Sequence, residues 1–273
     1  MDNKNIFRSF VLLSLIAGSL HAADISSSTV ANSTFTWRQA TNMTLPIGES
    51  LHFVVKWGLV VAGYSTLSIQ NIDMVSGRPA YHIVSEAKSG GLVTAFYRVE
   101  DHNEAWVDQG SMSSVRYEKS IKEGKYQIDE STIIDQPKRR YHMQSFRLDK
   151  NIYEQKEGEI PQNVLDVLSS FYYVRLMPLE VGKSFTIDVL SGDKVYPLVV
   201  RVEKRETIKV PAGKFKTIRI EPLLRAPGIF IAKGNKLQVW LTDDDRHIPV
   251  RMRSEVFIGH VSAELLPDTP PAE

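Results

Sequence analysis

The densest group of side chains that could do chemistry is a run of three aspartates followed by an arginine and a histidine. Asp243, Asp244 and Asp245 offer carboxylate oxygens, the ligands that calcium and magnesium prefer. The run lacks the alternating acids, central glycine and distal glutamate of a calcium-binding loop. Aspartates also favour turns, because their side chains bond to nearby backbone, and period-two alternation flanks the run on both sides. The run, which continues into Arg246 and His247, therefore predicts a solvated hairpin turn without a bound metal.

A second polar group contains one histidine and three carboxylates: Asp101, His102, Glu104 and Asp108. On a strand, His102 and Glu104 would share a face, because side chains alternate with a period of two. One histidine and one glutamate leave a transition-metal site incomplete, so this segment predicts a polar strand face. Two Ser-x-x-Lys matches, from Ser85 and Ser191, fall in a strand and a turn and lack the partner motifs of acyl enzymes. No catalytic residue and no cofactor is predicted.

One segment departs from period two and has helical spacing. Its apolar residues are Leu165, Leu168, Tyr172 and Leu176. Pro161 suits the first turn of a helix and Pro178 ends it. The pattern predicts one amphipathic helix over residues 161–176.

This helix also carries candidate ligand- or partner-binding residues. Tyr172 and Tyr173 lie about 100° apart on a helix, so both cannot face the core. Asp166 lies off the apolar stripe, and Arg175 gains from the helix dipole near the C-terminus. The two are too far apart along the helix for a direct contact. A helix at a barrel mouth often borders a ligand site, which favours Asp166, Tyr172, Tyr173 and Arg175 as binding residues; the alternative is a helix that only plugs or flanks the sheet.

Residues 223–232 are unusually apolar around a Pro-Gly turn. If exposed, the segment would be a contact surface for lipid or a protein partner. If buried, it would be two core strands joined tightly. Both interpretations stay open, and Ile229 and Phe230 complete the set of candidate binding residues.

The dominant pattern between these features is alternation with a period of two, as in Leu51, Phe53, Val55 and Trp57. Turn residues separate many short runs of this kind, which predicts antiparallel hairpins. We expect an all-β fold, a large antiparallel, partly open barrel-like meander with one short amphipathic helix, and core positions for Trp57 and Trp240. The predicted β-rich domain covers residues 46–266, with two halves joined near 149–178 and a linker over Asp149–Gln162.

The first 22 residues have the organisation of a secretory signal. Lys4 and Arg8 supply the positive start, residues 10–17 form an apolar run, and residues 20–22 suit cleavage. The run is too short for a bilayer anchor, which needs roughly 20 residues. We therefore expect a signal peptide over residues 1–22, cleavage near Ala22, a periplasmic protein, and no stable transmembrane span after cleavage. A flexible lead-in over 23–45 and a disordered tail over 267–273 are expected at the ends.

Composition narrows the possible classes of function. The chain has 273 residues, no cysteine and a formal net charge of +1. Without cysteine there can be no disulfide and no thiolate nucleophile or metal ligand. The charge balance lacks the basic excess of nucleic-acid-binding proteins, so no nucleic-acid partner is predicted.

Four motifs occur in order over most of the chain. The first is Gly48-Glu49-Ser50-Leu51 with residues 56–63, and the second runs from Asp166 to Leu179. The third is Val210-Pro211-Ala212-Gly213-Lys214-Phe215, and the fourth runs from Trp240 to Val250 and closes with Gly259-His260-Val261. In these residues the chain resembles the bacterial exported proteins of the domain-of-unknown-function 3108 family. The resemblance implies a large antiparallel, partly open barrel-like sheet, and the period-two pattern agrees with it. The family has no established activity, so the resemblance implies no catalytic residues.

These features favour a non-enzymatic periplasmic protein. It would bind an apolar or amphipathic envelope component, such as a lipid, or an envelope protein partner. Two alternatives remain: an envelope hydrolase using Asp and His side chains, and a purely structural envelope-assembly protein. A convergent acid, base and pocket would favour the hydrolase, whereas a fully packed interior would favour the structural protein.

Overall fold

The computed structural model describes residues 35–40, 43–224, 236–256 and 259–267. The predicted signal peptide, Ile229 and Phe230 lie outside these described residues. The elements follow in chain order: β1 (Ser50–Trp57), β2 (Val60–Val75), β3 (Arg78–Ser89), α1 (Gly91–Phe96), β4 (Val99–Asp108), β5 (Ser114–Glu123), β6 (Tyr126–Asp135), β7 (Arg140–Arg147), β8 (Ile152–Glu159), β9 (Leu165–Asp166), α2 (Val167–Arg175), β10 (Ser184–Ser191), β11 (Lys194–Val210), β12 (Gly213–Leu224), β13 (Leu237–Thr242), β14 (Pro249–Glu255) and β15 (His260–Leu265).

All of these strands belong to one 15-stranded sheet with the order β8-β7-β6-β5-β4-β3-β2-β1-β15-β14-β13-β12-β11-β10-β9. Neighbouring strands are antiparallel, except that β9 is parallel to β10. Short turns make this meander possible. Ser76 and Gly77, between β2 and β3, have φ values of 51° and 78°, as a two-residue turn compatible with strand twist requires.

The two ends of the sheet are joined by side-chain contacts and not by backbone pairing of its first and last strands. The Tyr141 hydroxyl on β7 donates to the Asp193 carbonyl oxygen in the β10–β11 turn at 3.1 Å. The Lys156 ammonium on β8 lies 3.0 Å from the Asp193 carboxylate. A small apolar cluster packs beneath these contacts: Ile134, Tyr141, Met143, Ile160, Val164 and Leu190. The result is the partly open, barrel-like sheet that the alternation predicts.

The main core lies on the concave face of this sheet and includes α2. Phe53 on β1 and Leu168 and Tyr172 on α2 are among its largest fully buried side chains. Burial of such side chains contributes about 1.5–3 kcal/mol each. Neither α1 nor α2, the helices of the described residues, is long and apolar enough to cross a membrane.

The structure corrects several boundaries expected from sequence. The helix is shorter than predicted, Val167–Arg175 instead of 161–176, because Leu165 and Asp166 pair with β10. Most of the expected linker, Asp149–Gln162, is strand β8.

The described part of the expected lead-in is docked on the turn between β4 and β5. The Arg38 guanidinium donates to the carbonyl oxygens of Ser111 and Met112 at 2.8 and 2.6 Å.

The two tryptophans expected in the core differ in environment. Trp57 is half-buried and packs against the main core. Trp240 is 6% exposed but lies on the convex face, because its neighbours Val239 and Leu241 belong to the core. The guanidinium groups of Arg219 and Arg251 lie 5.9 and 5.8 Å from its ring centroid.

Candidate functional site

Asp166 caps α2 inside the barrel. Its carboxylate accepts hydrogen bonds from the Ser169 amide at 2.8 Å, from the Ser114 hydroxyl at 2.6 Å, and from the Ser169 hydroxyl. An aspartate at this position satisfies amides that the first helical turn leaves unpaired. Burial raises the pKa of Asp166, although the hydrogen bonds from Ser114 and Ser169 oppose the rise. Asp166 lies off the apolar stripe of the helix, as expected, but it is buried, with only 1% of the residue exposed.

Arg175 joins the other end of α2 to two distant parts of the chain. Its guanidinium makes a two-point ion pair with Glu49, at 2.6 and 2.8 Å. It also donates to the carbonyl oxygens of His247 and Arg246 at 3.2 and 3.5 Å. Nδ1 of His247 lies 2.7 Å from the Arg175 carbonyl oxygen. Three of the four sequence motifs thus converge at the C-terminal end of α2.

Tyr172 and Tyr173 are both buried, at 0% and 6% exposure, but in different surroundings. Tyr172 packs in the core, and its hydroxyl has no hydrogen-bond partner among the described residues. Burial raises the pKa of Tyr172. The Tyr173 ring is covered by the Arg38 guanidinium at 4.3 Å. Tyr172 and Tyr173 point in different directions, as helical geometry requires, and the docked lead-in covers Tyr173.

A row of buried polar side chains crosses the concave face of the sheet. Strand pairing places Ser85, Asn103, Lys119, Glu130 and Ser145 side by side on β3 to β7. All five, here called the polar row, are at most 9% exposed. On the other side of β3 the same row continues as Leu67 and Leu51. Along this row, the side chains on the concave face thus change from apolar to polar at β3.

Charges and hydrogen bonds are concentrated along the polar row. The Lys119 ammonium lies 3.0 Å from the Glu130 carboxylate, and both side chains are less than 10% exposed. The Tyr117 hydroxyl donates to the Asn103 amide oxygen at 3.0 Å. Burial raises the pKa of Tyr117, and the negative charges of Asp166, Glu130 and Asp101 raise it further. Asp166 on α2 and the polar row therefore act electrostatically on the same tyrosine.

The polar row ends at the edge strand β8. Ser145 pairs with Glu154, whose side chain is 51% exposed. The residues of β8 are exposed on both faces apart from Gly158. A polar path therefore leads from this edge of the sheet into the barrel.

The histidine and acidic residues singled out from β4 are divided between the two faces, and Asp101 lies on the concave face near Tyr117. On the convex face, the Glu104 carboxylate lies 2.6 Å from Nε2 of His82 and 2.9 Å from Nε2 of His102. Burial raises the pKa of Glu104, but hydrogen bonds from the two imidazoles outweigh burial, and the pKa is lowered. His102 and Glu104 share a face, as alternation predicts, and His82 joins them from β3.

The aspartate run forms the β13–β14 turn. Asp244 accepts from the Thr242 hydroxyl at 2.6 Å and from the Arg246 amide at 3.1 Å, while Asp243 pairs with Arg205 at 3.0 Å. No group of three histidine or acidic side chains in the described part of the chain is arranged to hold a metal ion. The acids of this turn stabilise local structure.

Sequence patterns alone did not point to the polar row or to Glu49. Each member of the polar row is an ordinary polar residue in an alternating strand, and only the register places the five together. The available signal was polar residues at inward positions on β4 to β7, such as Asn103 and Glu130, where β1 has Leu51 and Phe53.

The fold and the polar concave face define the class of protein: a partly open, all-β barrel-like sheet with a capped helix inside. A family model described as "Protein of unknown function (DUF3108)" matches residues 52–266. The chain belongs to this family. No curated protein matches the sequence.

Solved structures that are similar to the chain include the following three. The first is a β-barrel-like protein of domain of unknown function DUF1849 from Brucella abortus, with a TM-score of 0.53 and 9% identity over 85% of this chain and 98% of that one. The others are a protein described as a candidate lipoprotein from Parabacteroides distasonis (TM-score 0.35, 10% identity, 86% of this chain and 98% of that one) and a candidate exported protein with a YmcC-like fold from Bacteroides fragilis (TM-score 0.33, 9% identity, 86% and 99%). The first likeness supports the barrel-like fold alone.

Proposed function

We propose that the protein is a non-enzymatic periplasmic binder of an amphipathic envelope component. The polar group of the ligand would lie along the polar row, and its apolar part would lie next to the buried apolar side chains at the border of the main core. Lys119 would then face an anionic head group, with Asn103 and Ser145 as neutral hydrogen-bonding partners. The N-terminal sequence supports export.

The observation that carries this proposal is the buried Lys119–Glu130 pair within the polar row. Removing two charges from water costs several kcal/mol per ion, and the attraction between them often does no more than offset that cost. At the same level of the sheet, β1 and β2 have leucine in place of polar side chains. A buried row that contains a charged pair and lies beside apolar side chains is suited to a ligand with one polar and one apolar part.

Two further features support ligand binding. The Tyr172 hydroxyl is buried without a hydrogen-bond partner among the described residues, and unpaired buried polar groups are rare in stable cores. The exposed edge strand β8 provides an approach to the polar row from solvent. A hydrolase has less support, because His102 and Glu104 lie on the convex face, away from the polar row.

The test is binding of a dansyl-labelled fatty acid, together with native mass spectrometry of the protein purified from the periplasm. We expect a lipid-sized adduct in the purified protein and saturable probe fluorescence. The decisive variant is Lys119→Met/Glu130→Met, since replacing a buried ion pair by apolar residues of similar volume is often neutral or stabilising. This variant should fold and lose most of the probe binding.

The matched control is Arg140→Met/Glu157→Met, which removes an ion pair between neighbouring strands β7 and β8 on the exposed side. It should bind the probe like the parent protein. Absence of both adduct and probe binding in the parent would refute the proposal. Equal probe binding by the Lys119→Met/Glu130→Met variant and the parent would remove the polar row from the ligand site.

A further inference from the structure

Exposed apolar side chains cluster at one corner of the sheet. Leu59, in the two-residue turn between β1 and β2, is 99% exposed, and Phe96 at the end of α1 is 84% exposed. Val60, Val61 and Tyr64 on β2 are 55%, 45% and 51% exposed. We call these five residues the apolar corner.

Backbone contacts hold the parts of the apolar corner together. The Gly90 amide, just before α1, donates to the Ala62 carbonyl oxygen on β2 at 2.9 Å. After α1, the Gly124 amide in the β5–β6 turn donates to the Arg98 carbonyl oxygen at 2.8 Å. The β1–β2 turn, α1 and the β5–β6 turn therefore lie next to one another.

The charge around the apolar corner is predominantly positive. Lys88 pairs with Tyr64 in the β2–β3 register, and Lys122 and Lys125 lie on either side of Glu123 and Gly124. All three lysines are exposed, and none forms an ion pair among the described residues. Arg98, with a side chain that is 69% exposed, pairs with Glu100. Four basic side chains therefore surround the apolar corner, and the acids on the same elements are the exposed Glu86, the half-buried Glu100 and the buried Glu123.

We propose that the apolar corner is a docking surface for an anionic lipid bilayer. Leu59 and Phe96 would insert among the acyl chains at the level of the head groups, while Lys88, Lys122 and Lys125 would contact lipid phosphates. Apolar side chains rimmed by lysine are the combination that binds anionic membrane surfaces. Docking at this corner does not depend on what the barrel interior holds.

The opposite edge of the sheet has side chains of a different kind, which favours specific binding of the apolar corner to a bilayer over non-specific adsorption of the whole protein. Its turns include Ser76-Gly77 and the acidic Asp243–Asp245 run. Met74, near that edge on β2, is 69% exposed but has Asp73 beside it in sequence. The turns of that edge mix these acidic side chains with exposed lysines such as Lys138 and Lys214.

The experiment is co-flotation with vesicles of phosphatidylglycerol or of phosphatidylcholine. It uses the protein as cells produce and process it, so that every variant has the same N-terminus. We expect preferential binding to phosphatidylglycerol that weakens with salt, because surface charge attraction is screened. Leu59→Glu and Phe96→Glu should each lower the partition coefficient by about tenfold. Lys122→Glu/Lys125→Glu should lower binding to phosphatidylglycerol vesicles and leave binding to phosphatidylcholine vesicles unchanged.

Two matched controls lie at the opposite edge: Met74→Glu, an exposed apolar residue, and Lys214→Glu, an exposed lysine. Both should bind vesicles like the parent protein. Equal losses in the control and corner variants, or full vesicle binding by Leu59→Glu and Phe96→Glu, would overturn the proposal. The proposal would also be overturned if the parent protein did not bind vesicles but formed a dimer, and if Leu59→Glu made that dimer dissociate. This result would assign the apolar corner to contact with a second copy of the chain.

Discussion

Glu49→Gln should destabilise the protein more than a single substitution of an exposed charged residue would. The substitution leaves the Arg175 guanidinium, whose side chain is 3% exposed, without its carboxylate partner at 2.6 and 2.8 Å. Removing one partner of a buried ion pair costs about 3–5 kcal/mol. The carbonyl oxygens of His247 and Arg246 still accept from the guanidinium, so we expect the low end, about 3 kcal/mol.

Urea denaturation measures this loss, and a double-mutant cycle assigns it to the pair. We expect Glu49→Gln and Arg175→Met each to lower the free energy of unfolding. The double variant should lose less than the sum, by about 1–3 kcal/mol. The control is Glu157→Gln, which removes an exposed partner of Arg140 and should cost less than about 1 kcal/mol. If Glu49→Gln unfolds within about 0.5 kcal/mol of the parent, the ion pair does not stabilise the end of α2 as we infer.

Three further outcomes follow from other parts of the structure. Leu168→Ala, at a fully buried position on α2, should lower the free energy of unfolding by about 2–4 kcal/mol in urea denaturation; an unchanged midpoint would mean that α2 is not packed as described. Burial raises the pKa of Asp108, but hydrogen bonds from Arg78 and Ser111 outweigh burial and lower it. The resulting stability is present above the unfolded-state pKa and is lost as pH falls through the folded-state pKa. The stability difference between the parent and Asp108→Asn should therefore shrink on acidification, and a difference that grows would contradict this sign. Calcium, magnesium or zinc at micromolar concentration should leave the melting temperature unchanged, because the Asp244 carboxylate is engaged by its own turn; a shift that Asp244→Asn abolishes would disprove this.

Local patterns were sufficient for most strands, many turns and the existence of α2, but they missed β8 and α1. Alternation in β1 predicted that Phe53 and Val55 face inward, because side chains on a strand point to opposite faces. The aspartate run predicted a hairpin turn, since the preference of Asp244 for its own backbone acts over a few residues. These signals depend on neighbours in sequence, and the all-β fold and family resemblance that they indicated are confirmed.

Long-range pairing decided the features that sequence patterns missed. Helix α2 begins at Val167, six residues later than predicted, because Leu165 pairs with Val189 and Leu190 pairs with Asp166, which then caps the helix. No local signal contains that pairing. The candidate binding roles of Asp166, Tyr172, Tyr173 and Arg175 stay predictions.

The sequence by itself determined which residues alternate, where the chain turns, and that a helical segment lies at α2, because these depend on local geometry. Only the tertiary structure decided which inward positions lie side by side. Register across four strands, β4 to β7, places Lys119 beside Glu130 and extends that row to Asn103 and Ser145. The Glu49–Arg175 pair joins residues 126 positions apart. Such contacts depend on the closure of the whole sheet, because period-two alternation specifies a face of a strand but not the neighbour across it.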